Sequence, residues 1–162
     1  MHVDVILTIY SKMRFHHPLL PLLGRLLMVY IFATSGVAKI FSWQANVQYM
    51  STRHLRMIPV LLAAAMAIEV SGSICLITGY RAREAAFIMF LYMIPLTLLF
   101  HNYWAFSGML AGTQETHFRK NLAIMGGLLL LAYAGPGPWS LESIGKKWIR
   151  LKRRQTDDAA SR

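Results

Sequence analysis

The chain has 162 residues, of which 56% are hydrophobic and only 15% charged, with a mean hydropathy of +0.42. A soluble domain would carry about 25% charged residues, so the composition favours a membrane protein. The formal net charge of +10 could suit nucleic acid, but the cations sit between apolar runs and gather at the C-terminus, as in loops facing anionic lipid. Neither an RNA-binding signature nor zinc-finger spacing is present, so no nucleic-acid partner is expected.

Residues 1–18 place Val3, Ile6, Leu7, Tyr10 and Met13 at helical spacing, which predicts an amphipathic helix over 3–14 lying on the membrane surface. The apolar run 19–41, "LLPLLGRLLMVYIFATSGVAKIF", is longer than the roughly 7–15 residues of a signal h-region and reads as a retained first span. A bilayer takes about 20 helical residues, and three more runs are long enough: 58–79, 83–101 and 121–140. Only Tyr80, Arg81 and Ala82 separate the second and third, which makes them an antiparallel hairpin. Residues 42–57 and 102–120 read as longer polar loops. The fourth helix should end near the Gly-Pro-Gly-Pro run at 135–138. The single cysteine, Cys75, lies inside the second run and reads as a packing residue.

Past the fourth run, Leu141, Ile144, Trp148 and Leu151 repeat at three-to-four spacing, with Lys146, Lys147, Arg150 and Arg153 between them. That pattern predicts an amphipathic helix on the cytoplasmic interface, with Trp148 as anchor and the cations on anionic lipid phosphates; a protein-docking tail is the alternative. The final "QTDDAASR" is expected to fray. The expectation is an all-α integral membrane four-helix bundle with interfacial amphipathic helices at both ends. Its parts are an N-terminal segment 1–18, a membrane domain 19–140 and a basic tail 141–162. With both termini on one side, that side holds eleven cations: Lys12, Arg14, Arg81, Arg83, Lys146, Lys147, Arg150, Lys152, Arg153, Arg154 and Arg162. The other side holds Arg53, Arg56, Arg119 and Lys120. The positive-inside rule then puts both termini in the cytoplasm.

The informative residues are those that the hydrocarbon penalises, at about 2.5–3.5 kcal/mol for a charge at mid-bilayer. Glu69 has no charged residue within ten positions on either side. At ~1.5 Å per residue it lies about 16 Å into its span, near the midplane, where it must be protonated, paired or turned to a polar cavity. Arg25 and Lys39 share a face of the first span with Ser35 and Gly36, and Glu69 shares one with Ala65, Gly72 and Ser73. The small residues mark these as facing sides. Arg25 is the preferred partner, because a guanidinium can grip a carboxylate bidentately, and Lys39 the second choice. Thr97, His101 and Trp104 share a face of the third span, where Pro95 frees the carbonyl of Leu91. Lys39, His101, Asn102 and Asn121 fall at the outer end and suggest an outward-facing polar pocket above Glu69.

Each of these residues has a plainer reading. Glu69 can belong to a structural pair that fixes helix register. His101 and Trp104 can be interface-belt residues, Asn121 an N-cap and Lys39 a snorkelling lysine. A transmembrane haem needs two histidines at matched depth, and only His101 touches a span. His54, His101 and His117 lack metal-ligand spacing, so no metal is expected. No phosphate loop or dinucleotide fingerprint is present.

Taken in order, these stretches resemble the DoxX family of small bacterial membrane proteins. "RLLMVYIFATSGVAKI" is similar to its first span. "AIEVSGSICLITGYRAREAAFIMFLYMIPLTLLFHNYW" is similar to its second and third spans, with the glutamate, the short basic turn and the closing His-x-x-Trp. "NLAIMGGLLLLAYAGPGPWSLES" is similar to the fourth, though Glu142 stands where the family has aspartate. The resemblance covers about residues 22–142. It implies a four-helix bundle in the bacterial inner membrane. Through members linked to thiosulfate:quinone oxidoreductase and oxidative-stress complexes, it also implies an accessory role in a membrane redox system, with periplasmic or membrane redox proteins as partners. It supplies no agreed catalytic residues. The expected function is a quinone or other small-molecule site around Glu69, Arg25, Lys39, Ser35, Ser73, His101 and Asn121. The alternatives are a non-catalytic scaffold or assembly factor, and a small permease component with Glu69 as proton relay.

Overall fold

The computed structural model describes residues 17–53 and 55–160. The expected surface helix over 3–14 lies outside them, as do His54 and the last two residues. The described chain forms six α-helices: α1 Leu19–Phe41, α2 Trp43–Ser51, α3 Ile58–Thr78, α4 Ala82–Phe100, α5 Gly108–Ala134 and α6 Leu141–Ala160, with a 3-10 turn at Tyr103–Ala105. Helix α1 packs on α3, α3 on α4 and α4 on α5, while α5 returns to touch α1.

The core follows from helical period. Arg25, Val29, Phe32 and Gly36 form the buried stripe of α1; Leu62, Glu69, Gly72, Ser73 and Leu76 form that of α3. The stripe of α4 includes Ala82, Ala86, Met89, Met93 and Thr97. The outward faces are as apolar as the inward ones: Leu27, Ile40, Ile74, Ile88 and Leu130 are all exposed. A folded chain that leaves so much aliphatic surface uncovered needs a hydrocarbon solvent. Three stretches are long and apolar enough to cross a membrane: Leu19–Phe41, Ile58–Thr78 and Ala82–Ala105. The protein is an all-α membrane protein.

Two expected loops are largely helical. Residues 43–51 form α2, and α5 begins at Gly108 rather than at Asn121. The first turns of α5 are polar and held locally, by a Glu115–Arg119 ion pair at 2.6 Å and by the hydroxyls of Thr113 and Thr116 bonding back one turn. A hydropathy reading registers only the apolar second half. Asn121 is therefore interior to a helix and is not an N-cap. The tail also stays helical to Ala160 instead of fraying at 155, and residues 144–159 are exposed along its whole length.

Helix ends are closed by arginines. A C-terminus leaves four carbonyls without partners, and its partial negative charge favours a cation. Arg25 donates to Leu76 O at 3.0 Å and Ile77 O at 3.2 Å, at the end of α3, and also to Trp139 O. Arg53 donates to Phe100 O at the end of α4 (3.1 Å). Arg83 donates to the carbonyls of Ala132, Tyr133 and Ala134 at the end of α5. Gly79, at φ +69°, turns α3 into the hairpin; a Cβ there would meet the Arg25 guanidinium at 2.6 Å.

Candidate functional site

Glu69 is 2% exposed. Its partner is Lys39, not Arg25. The Lys39 ammonium donates to Oε1 at 2.9 Å and Oε2 at 2.8 Å of the carboxylate, and to Ser35 Oγ at 2.5 Å one turn back on α1. The Tyr92 hydroxyl of α4 donates to Oε1 at 2.7 Å. Three helices thus meet at one carboxylate. Gly36 makes the approach possible: a Cβ there would lie 3.3 Å from Glu69 Cβ and 3.1 Å from a Val70 methyl.

The bidentate grip of a guanidinium favours Arg25 as the partner of Glu69, but it presupposes that the two residues lie at matching depth, as they would if the spans began and ended at common levels. On that assumption Glu69, eleven residues into α3, faces residue 30 of α1. In the structure α3 is displaced along its axis and Glu69 faces Gly36, so Lys39 lies one turn away and Arg25 about three turns away. Arg25 is instead 1% exposed and committed to backbone carbonyls.

Tyr92 is the member of this cluster that the sequence does not single out. A signal was available: about the hairpin turn at Tyr80, Glu69 lies eleven residues before and Tyr92 twelve after, which sets them at equal depth on antiparallel helices.

Above the cluster is a cavity of about 410 Å³, within the range of small-molecule sites. Its floor is Ser35, Lys39 and Tyr92; Asn46, Tyr49 and Met50 of α2 cover it. Leu61, Ala64, Ala65 and Ile68 of α3 and Pro95, Leu96 and Leu99 of α4 form its sides, and His101 sits at the rim. Glu69 lies behind Lys39 and Tyr92 rather than on the wall. Of the expected pocket residues, Lys39, Ser35 and His101 meet here. Asn121 lies elsewhere, donating to Thr97 Oγ1 at 3.0 Å between α5 and α4. Asn102 takes a long bond from Arg53 (3.4 Å). Ser73 is buried with no hydrogen-bond partner among the described residues, away from the cavity lining. Trp104 joins Tyr103 and Phe118 in an edge-on aromatic group.

His101 bonds Gln114 at 2.9 Å through Nδ1 and stacks on His117 with centroids 5.1 Å apart. Loss of hydration lowers the His117 pKa below the usual histidine value, and the neighbouring His101 and Lys120 lower it further.

The DoxX family model matches residues 20–102, which span α1 to α4 and hold the whole cluster. The chain belongs to the DoxX family. Among curated DoxX-like relatives, inner membrane protein YphA of Escherichia coli K12 is 33% identical over 125 residues, 77% of this chain and 89% of the relative. Inner membrane protein YqjF of the same organism is 32% identical over 130 residues, 78% of this chain and 93% of the relative. A shorter match of 75 residues at 29% identity joins the chain to the ER-derived vesicles protein ERV29 of Saccharomyces cerevisiae, covering 46% of this chain and 24% of that protein. No solved structure matches the chain. Family, apolar helices and relatives together make this an inner membrane protein of DoxX type.

Proposed function

We propose that the protein is an accessory subunit of a membrane redox system that holds a quinone or a similar small, membrane-soluble molecule in the cavity between α1, α3 and α4. One observation carries the reading: an apolar chamber of ligand size ends on a cluster of Ser35, Lys39 and Tyr92 tied to a buried acid. Apolar walls with a few convergent polar groups are the usual make-up of a small-molecule site. The cluster would orient a polar head; proton exchange through Tyr92 and Glu69 is the chemistry within reach. The same reading has α5 as a fourth span through 121–134, both termini cytoplasmic, and α6 on the inner leaflet with Trp148 and its cations against anionic headgroups. The test is a titration of the protein in lipid nanodiscs with decylubiquinone. Saturable binding that is lost when Ala65→Leu fills the chamber is the expected outcome, and equal uptake by both forms would count against it.

A scaffold without a ligand is the second reading, favoured by the tight Gly36 contact at Glu69. The Lys39–Glu69 pair would then only fix the register of α1 on α3, and the filled variant would behave as the parent does.

A further inference from the structure

The proposed site carries a statement about the charge of its ligand, one that rests on the chamber being a binding site but not on a quinone being the occupant. Among the described residues, Lys39 is the lysine or arginine on the chamber wall, and Glu69 is the acid behind it. All three ammonium protons of Lys39 are committed, two to the carboxylate and one to Ser35 Oγ. The carboxylate has Lys39 on both oxygens and Tyr92 on one. The pair therefore sums to zero charge: no ammonium proton is left for an anion, and the carboxylate stands behind Lys39 and Tyr92, off the wall that a cation would reach. The neighbouring Arg53 does not alter this: its guanidinium is absent from the lining, donates to Phe100 O and lies against the rings of Tyr49 and Phe106. Polar capacity that remains open at the wall includes the Ser35 hydroxyl proton and the Asn46 side-chain carbonyl, both uncharged.

The route in is set by the walls. Leu61, Ala64, Pro95 and Leu99 line the chamber and are also exposed on the outer surface of α3 and α4, the surface that faces hydrocarbon. A charged head would cross that apolar rim at the cost of burying an ion and find no free opposite charge inside. We infer that the chamber selects uncharged, bilayer-dissolved amphiphiles, entering sideways between α3 and α4, and that the Lys39–Glu69 pair sets this selectivity by cancelling its own charge.

The experiment uses three probes with one tail: 1-decanol, decyl sulfate and decyltrimethylammonium. Each is measured by equilibrium uptake into phosphatidylcholine nanodiscs carrying the full chain at pH 8, with the Ala65→Leu form as background. Decanol should bind in excess of background, and the two ions at least about tenfold more weakly. Glu69→Gln frees the Lys39 ammonium and should turn the preference toward decyl sulfate. The doubly neutral form, Lys39→Gln with Glu69→Gln, should keep the preference for decanol and guards against a Glu69→Gln chain that fails to fold. Stronger uptake of decyl sulfate than decanol by the parent protein overturns the inference, and so does unchanged head preference in folded Glu69→Gln. Uptake of all three at background means that lipid chains fill the chamber, which also overturns it. Decanol binding without decylubiquinone binding would refute the quinone reading and leave this one standing.

Discussion

At the residue scale, the Glu69 carboxylate is almost fully enclosed yet has a donor on each oxygen, Lys39 on both and Tyr92 on one. A paired buried charge is tolerable and an orphaned one is not: removing one partner of such a pair costs about 3–5 kcal/mol, whereas replacing both by apolar groups is often close to neutral. Glu69→Gln strands the Lys39 ammonium and should lower stability by that amount in reversible unfolding from mixed micelles. Lys39→Met combined with Glu69→Leu should recover most of it, short of about 1–3 kcal/mol for the Tyr92 hydroxyl left without an acceptor. A double variant as unstable as the single one would mean that the pair is not the interaction that matters. The acid itself was legible in the sequence, because one carboxylate in a long apolar run has no other explanation. Its partner was not, because matching depths across two helices requires their relative displacement, and that is fixed by Gly36 packing on Glu69 and Val70. Tyr92 could have been found by counting outward from the hairpin turn, where so short a connection leaves no room for displacement.

At the element scale, apolar length located α1, α3 and α4 to within a residue or so, and the Gly-Pro-Gly-Pro run ended α5 where expected. The misses were α2 and the first half of α5, which are helical without being greasy; their helicity comes from local pairs such as Glu115–Arg119 and from packing, neither of which hydropathy registers. The element that covers the chamber, α2, was therefore invisible as a helix. The arginine caps also separate by burial. Arg25 is enclosed, so Arg25→Met strands the buried carbonyl of Leu76 at about 1–3 kcal/mol, and removes the part-buried bonds to Ile77 and Trp139 as well. Arg83 is exposed, and the α5 carbonyls that it serves can turn to water or headgroups, so Arg83→Met should cost about 1 kcal/mol or less. Unfolding midpoints of the two variants measured side by side check the ranking; a smaller loss for Arg25→Met would contradict the capping role drawn for it.

At the scale of the whole molecule, the chain is apolar outside and holds its few charges inside or at its ends, which is the arrangement a bilayer demands. The cation count on the loops then fixes the proposed orientation. In a Cys75→Ser background, a cysteine at Lys147 should react with a membrane-impermeant thiol reagent only from the cytoplasmic side, and one at Lys120 only from the opposite side. Labelling of both from one side would leave an even number of crossings between them and remove α5 as a fourth span. This orientation puts the chamber in the outer half of the membrane, above the Lys39–Glu69 pair and roofed by α2.

The most direct test of that chamber is the decylubiquinone titration in nanodiscs. The account predicts one saturable site per chain in the parent protein and none in Ala65→Leu, with both forms equally folded. Identical, non-saturating uptake by the two would show that the space above Lys39 is ordinary lipid-filled packing, and the ligand-site reading would be wrong.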